Sequence, residues 1–525
     1  MNFVSIFSDS AKLADIARSL VNGLGYGSNF SFWTPSIFEL IKNNIFPFPW
    51  TPPVMPFSIA GFFKIFGITD FAVIATSFFY LLLTLVFVFL LAKKIFKSNL
   101  VGALSTLAVG FNYDLIHYAT NGASESPFIF EIVAASYFAS IKKRWANFVT
   151  VLLLILMYFT RPQAFIYIAG ILLFWLSNNF KARKAILYFA GVMVVGLLVD
   201  YFVLIPLSGQ YFLYSIVERG IGSSFNQTSV ASDALRGAAN VAEGGITQTL
   251  KNIFYNLYNF YKLMPQIINP YLFMLFVIGL LFHSKSKEEK AFKIASVFMI
   301  VITFLVTAAS IPFFRYLHSV IPLVYIIAVG TLVNIISNSQ FLISKQIPNS
   351  KFQITKNTLT ILASTFLILI FGVGQTLGVL LLDSRFEAKT HNVGKPPVYV
   401  ELSKILKENT DPNQVVITNL DTWGSWYGER RTVWFPIEPK QIINSATGKI
   451  PFDAIYLTSY LIDDANYYMG ESWRMIFDNP DDLKKWICDG CSEIADEFDL
   501  KGVYEISANS NYEKHGVSAV LLIKK

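Results

Sequence analysis

Ten apolar runs between residues 70 and 382 limit what this chain can fold into more than any other feature. They cover about 70–92, 100–113, 125–141, 146–160, 162–177, 185–206, 271–284, 291–309, 317–337 and 358–382. A helix needs about 20 apolar residues to cross a bilayer. Inside hydrocarbon every backbone N–H and C=O has to be bonded within the segment, so runs of this kind are expected to be helical. The composition agrees, with 54% of the 525 residues hydrophobic and 15% charged, against about 25% charged in a soluble globular chain. The expected class is a polytopic α-helical membrane protein with about ten spans.

Charge is distributed unevenly. Residues 1–382 carry 26 Lys and Arg against 13 Asp and Glu, whereas 383–525 carry 16 against 22. The basic excess therefore belongs to the membrane part and is no nucleic-acid footprint, so no nucleic-acid partner is expected. Much of it sits in five connections: Ala92–Asn99, Ile141–Arg144, Asn178–Lys184, His283–Lys293 and Ser344–Lys356. All five fall on one side, which the positive-inside rule makes the cytoplasm. Residues 1–69, the turns near 114–124 and 160–162, the long loop 207–270, the turn 310–316 and the tail are then expected outside. Among acids, only Glu288 and Glu289 fall in the cytoplasmic loops, which directs the search for chemistry to the outer face.

Three regions follow: a first outer loop over 1–69, a helical membrane domain over 70–382, and a small extracytoplasmic α/β domain over 383–525. In the first, Leu13, Ile16 and Leu20 recur at helical spacing, which predicts an amphipathic helix lying on the outer surface. Pro52–Gly67 reads as a second. In the last, 415–418, 432–435 and 452–458 read as buried strands after a helical stretch, and the chain closes on a hairpin. Cys488 and Cys491 form a C-x-x-C pair. A zinc site needs four ligands, and there is no second pair. The spacing leaves open a local disulfide in an oxidising compartment or a redox motif.

The polar residues on the outer side are the candidates for chemistry. Asp9 opens the first helix, where a carboxylate is either a helix cap or a base or metal ligand at the membrane surface. Asp15 lies six residues on, off that face. Glu125 begins the third run, where the helix dipole favours an acid; Asp114 and His117 lie in the turn before it. Arg161 and Arg315 stand where outer-face helices begin. A guanidinium there either holds a phosphate bidentately or snorkels to lipid headgroups. His318 follows Arg315 closely, and Arg219 and Lys262 lie in the long loop. Glu131 and Asp200 fall inside runs, where acids are costly and are either paired or functional. The aromatic stretch 254–265 suits an interfacial helix, and Asn29 and Asn226 head N-glycan acceptor patterns.

The order of these elements resembles the multi-span glycosyltransferases of the GT-C fold, specifically the branch of protein mannosyltransferases and lipid A aminoarabinose transferases. The residues that carry the resemblance are Asp9 before Ile16-Ala17-Arg18, the Gly23-Leu24-Gly25-Tyr26 turn, Pro52-Pro53 through Pro56, Phe63 through Gly67, Ser124-Glu125, Thr160-Arg161-Pro162, and Arg315-Tyr316-Leu317 before Pro322. Together they cover most of 1–382. The resemblance implies transfer of a hexosyl or pentosyl group from a polyprenyl-phosphate carrier, on the outer face, to a lipid, glycan or protein acceptor. It implies Asp9 as base, Glu125 as a second catalytic acid, and Arg315, Arg161 and Lys262 as donor-phosphate ligands, with Asp15, Asp114, His117, His318 and Arg219 in support. The setting it implies is a prokaryotic plasma membrane. Where the family often has Asp-Glu and a following tyrosine, this chain has Asp9-Ser10 and Leu13; no cofactor is certain, and a magnesium or manganese ion is the expected one if a metal is used. The family's first span is not among the ten runs, so the expectation is either that the chain starts outside or that an upstream span is missing from this sequence. Two other readings are a transporter or lipid flippase, and an inactive relative in envelope assembly.

Overall fold

A computed structural model describes residues 8–34, 36–47, 51–179, 182–204, 245–309, 312–346, 356–382, 397–463, 469–507 and 516–525. Each of the ten runs falls on a helix. Among the described residues, four helices are long and apolar enough to cross a membrane: Asp70–Phe96, Lys287–Ala309, Phe314–Asn338 and Thr358–Gly378. The chain is an integral membrane protein. The other six runs lie on helices of 12 to 18 residues. A 12-residue helix rises only about 18 Å, and these end where polar turns begin. Side-chain caps mark several starts: Thr69, Ser98, Asn112 and Asn269 each accept from a backbone N–H in the first turn. Large apolar side chains such as Phe71, Phe78, Leu82, Val86, Ile294 and Leu305 remain exposed on helix faces, as surfaces turned to lipid do.

The two acids of the basic side are paired locally. Glu289 binds Lys293 at 2.8 Å, and Glu288 binds Lys142 at 3.3 Å. Glu131 is buried and accepts from Thr160 Oγ1 at 2.7 Å. Asp200 is buried beside Tyr158.

A six-stranded sheet is ordered β2-β5-β4-β6-β8-β7, with β2 at Phe30–Ser31, β4 at Val415–Thr418, β5 at Arg431–Trp434, β6 at Ala454–Thr458, β7 at Phe498–Ile506 and β8 at Val517–Lys524. The first four are parallel and β8 and β7 run antiparallel. The apolar Val-Val-Ile core of β4 is buried throughout, as in a sheet covered on both faces. Strand β2 is Phe30–Ser31, from the first loop, and pairs in register Phe30↔Thr432. The sheet therefore includes a strand from outside 383–525. A separate two-stranded ribbon joins β1 (Gly27–Ser28) to β3 (Phe46–Pro47).

The helix Ser8–Val21 does not lie on the surface as expected. Eight of its residues are buried, Ser10, Asp15 and Ser19 among them. Ala11, Leu13, Ala14 and Ala17 share a core with Met55, Ile59 and Phe63 of the Val54–Phe66 helix, Ala72 and Val73 of the first long span, and Trp423 and Trp426 of the tail. Ile16 instead enters the core of the sheet domain. The apolar spacing was there, but it faces protein on more than one side.

Candidate active site

The N-terminal helix hangs from the tail by polar contacts. Arg18 donates to Ser425 O at 2.7 Å and Trp426 O at 3.1 Å. Thr422 Oγ1 donates to Ser8 O at 2.5 Å. The Thr422–Trp426 helix that makes these contacts begins after Asp421, whose φ is 55° and whose side chain accepts from Thr422 N at 2.7 Å. Trp426 Nε1 and Tyr427 Oη also donate to Asp70 at the head of the first long span, at 2.8 and 3.0 Å. These contacts set the position of the residue after Ser8, which is Asp9.

Asp9 opens onto a cavity of about 530 Å³. The cavity gathers Asp9, Asp114, His117, Glu125, Arg161 and Arg315 from five separate stretches of the chain, and adds Lys12, Tyr118, Thr160 and Tyr316. Arg315 Nη1 donates to Asp9 Oδ2 at 2.7 Å and Lys12 Nζ to Asp9 Oδ1 at 3.2 Å. The Lys12 and Arg315 charges hold the Asp9 carboxyl well below the usual carboxylate range, outweighing its desolvation. Opposite them, Arg161 Nη1 lies 2.7 Å from Glu125 Oε1 and donates to Ser124 Oγ at 3.1 Å. The first contact is an ion pair whose angle is not that of a hydrogen bond, since Glu125 Oε1 has no aligned donor. Both guanidiniums stand over the Tyr316 ring, each 5.4 Å from its centre.

A second polar layer backs the cavity. Tyr118 Oη shares a hydrogen bond with the buried Nδ1 of His318, whose Nε2 is 4.0 Å from Asp114 Oδ2. Burial and the nearby Glu125 and Asp114 charges push the Tyr118 phenol well above its ordinary value, so it keeps its proton. His117 stacks on Tyr113 at 5.9 Å.

Other candidates are elsewhere. Asp15 is fully buried away from the cavity, ion-paired to Arg18 and accepting from Ser28 Oγ and Asn29 N, both at 2.6 Å. It holds the turn that leads to β2. Lys262 is exposed at the end of the Gly245–Lys262 helix and does not line the cavity. Arg219 and Asn226 lie outside the described residues. Cys488 and Cys491 are joined as a disulfide. Among the described residues no three His, Cys, Asp or Glu side chains form a group that could hold a metal ion. Sequence reasoning missed Lys12 and Tyr118 and gave Tyr316, named only within its motif, no role of its own. The three-residue spacing of Asp9 and Lys12 was a legible signal; nothing local pointed to Tyr118.

Comparison with known proteins bears on this arrangement. Residues 51–205 match the family described as dolichyl-phosphate-mannose-protein mannosyltransferase. An uncharacterised protein of Aquifex aeolicus (strain VF5) is 29% identical over 214 residues, which are 36% of this chain and 40% of that protein. The chain thus spans less than half the length of the curated relative it matches. The crystal structure of ArnT from Cupriavidus metallidurans bound to undecaprenyl phosphate superimposes with a TM-score of 0.55 over 98% of this chain and 94% of that one, at 10% identity. The chain has the GT-C fold.

Proposed function

We propose that this chain is a glycosyltransferase that moves a sugar from a polyprenyl-phosphate carrier to an acceptor hydroxyl on the outer face of a prokaryotic plasma membrane, inverting the anomeric centre. The observation that carries the reading is the convergence of Asp9 with Arg315, and of Glu125 with Arg161, on one cavity. Two carboxylates and two guanidiniums are what a displacement with a phosphate leaving group needs. A carboxylate takes the proton of the attacking hydroxyl, and fixed cations meet the charge that develops on the phosphate.

In this reading Asp9 is the base, Arg315 binds the donor phosphate and Glu125 orients the acceptor. Arg161 holds Glu125 in place through their ion pair. Tyr118, held by His318, offers a hydroxyl to a sugar oxygen, and Tyr316 gives both guanidiniums a flat surface to rest on. Asp9 is paired to Arg315 and Lys12 and Glu125 to Arg161, so the residues present do not fit a divalent cation, and no step is routed through one.

The test is sugar transfer by membranes carrying the chain, supplied with radiolabelled polyprenyl-phosphate sugars, for wild type and Asp9→Asn in parallel. Transfer by the wild type that disappears in the inserted variant supports the reading. Equal transfer by both removes Asp9 from the mechanism, and no transfer from any donor returns the chain to the transporter or assembly readings.

A further inference from the structure

The carboxylate of Asp9 sits where two cations converge. Lys12 reaches it from one turn along the same helix, and Arg315 from the turn Phe314–Tyr316. About half of the Asp9 side chain is open to solvent, as is 39% of Arg315. The arrangement conflicts with the role of Asp9, because a carboxylate gripped by two cations is a poor proton acceptor. The conflict disappears if another anion takes the cations when substrate binds. Arg161 is already committed to Glu125, which leaves Lys12 and Arg315 as the cations that an entering anion would engage.

We propose that the seat between Lys12 and Arg315 is a phosphate site whose resting occupant is the Asp9 carboxylate. The phosphate of the donor displaces that carboxylate and frees it to act as base. This rests on the transferase reading above, and adds Lys12 to the donor-binding residues. During transfer the acceptor oxygen bonds to the anomeric carbon and the bond from that carbon to the phosphate oxygen breaks. The electron pair stays on the phosphate, whose charge rises from one to two negative, while the acceptor proton passes to Asp9. The cations therefore move from a group that loses charge to one that gains it, an interaction stronger in the transition state than in the ground state. Donor binding precedes acceptor activation.

The experiment is binding of undecaprenyl phosphate to the purified full chain in detergent micelles, with inorganic phosphate and phosphatidylglycerol as competitors in separate arms. Lys12→Gln is expected to weaken binding about tenfold, the loss of one charged hydrogen bond, with Lys12→Arg restoring most of it. Arg315→Gln, on a separate element, is expected to weaken binding similarly. Asp9→Asn is expected to bind several-fold more tightly while failing to transfer sugar. Competition by inorganic phosphate and not by phosphatidylglycerol supports the seat; competition by phosphatidylglycerol alone marks a general anionic-lipid surface and overturns it. Unchanged affinity in Lys12→Gln also overturns it, while a wild type that still transfers sugar leaves the transferase reading standing. A wild type that neither binds nor transfers overturns both.

Discussion

Arg315 Nη1 stands 2.7 Å from Asp9 Oδ2, a pair that joins residues 306 positions apart. Asp9 is delivered by a helix fixed to the tail and Arg315 by the turn before a long span, so the contact reports the docking of three parts of the molecule. Replacing Asp9 by Asn keeps the shape and removes the proposed base. Transfer should fall by about 100-fold or more, with insertion unchanged and thermal unfolding lowered only modestly by loss of the half-exposed pairing to Lys12 and Arg315. Transfer rates on membranes of matched protein content decide it.

The Glu125–Arg161 pair is almost fully enclosed, with side chains 8% and 10% exposed. Removing one partner strands a charge, which costs about 3–5 kcal/mol in comparable buried pairs. Arg161→Leu should therefore unfold at clearly lower temperature in detergent. The double variant Glu125→Gln, Arg161→Gln should recover much of that loss without recovering activity. A single variant as stable as wild type would mean that water reaches the pair.

Asp15 serves the fold. It is buried, paired to Arg18 and bonded to Ser28 and Asn29. Asp15→Ala is expected to lose about 3 kcal/mol, measured as a lower denaturation midpoint. Its folded fraction should still bind undecaprenyl phosphate with near-normal affinity. Weak binding by that fraction would place Asp15 closer to the chemistry.

Thr422 tests the link between tail and site. Its hydroxyl donates to Ser8 O, next to Asp9. Thr422→Val should lower the turnover rate several-fold, with donor affinity little changed and Thr422→Ser close to wild type. Equal activity in all three would detach the tail from catalysis.

The pH dependence has a defined sign. Lys12 and Arg315 lower the folded carboxyl of Asp9, so the stability that pairing contributes is present above the unfolded carboxylate range and lost as pH falls through the folded value. Asp9 stays ionised throughout mild acid, and protonation of Asp9 should not limit donor binding down to about pH 5. Lys12→Gln should shift the acid limb of transfer upward. A limb that Lys12→Gln leaves in place would be set by another group, and His318 would be examined next.

Much of the architecture was legible from local pattern. The apolar runs predicted helices, and each became one. Val415–Thr418 read as a buried strand because its core is apolar without alternation. The β7–β8 hairpin was visible as two apolar strands around a polar stretch. Glu125, Arg161 and Arg315 were picked out because they stand at the outer ends of apolar runs, and Asp9 because it opens the first helix.

What the sequence by itself determined was therefore the list of elements and the set of residues able to do chemistry. Both follow from short-range physics: hydrophobic periodicity, helix capping, and the cost of charge near lipid. Only the tertiary structure decided how they meet. The Ser8–Val21 helix had the spacing of a surface helix, but its small residues Ala11, Ala14 and Ala17 allow close approach of neighbouring elements. Nothing in the local sequence says that Trp423 and Trp426 would cover them. Phe30–Ser31 was too short to read as a strand, and it became one because Thr432 and Val433 lay free to pair with it. Asp15 and Asp9 are both aspartates on one helix; docking buried the first against Arg18 and left the second facing Arg315. Chemically identical side chains acquired different roles because burial and partners depend on contacts hundreds of residues apart, which no local pattern encodes.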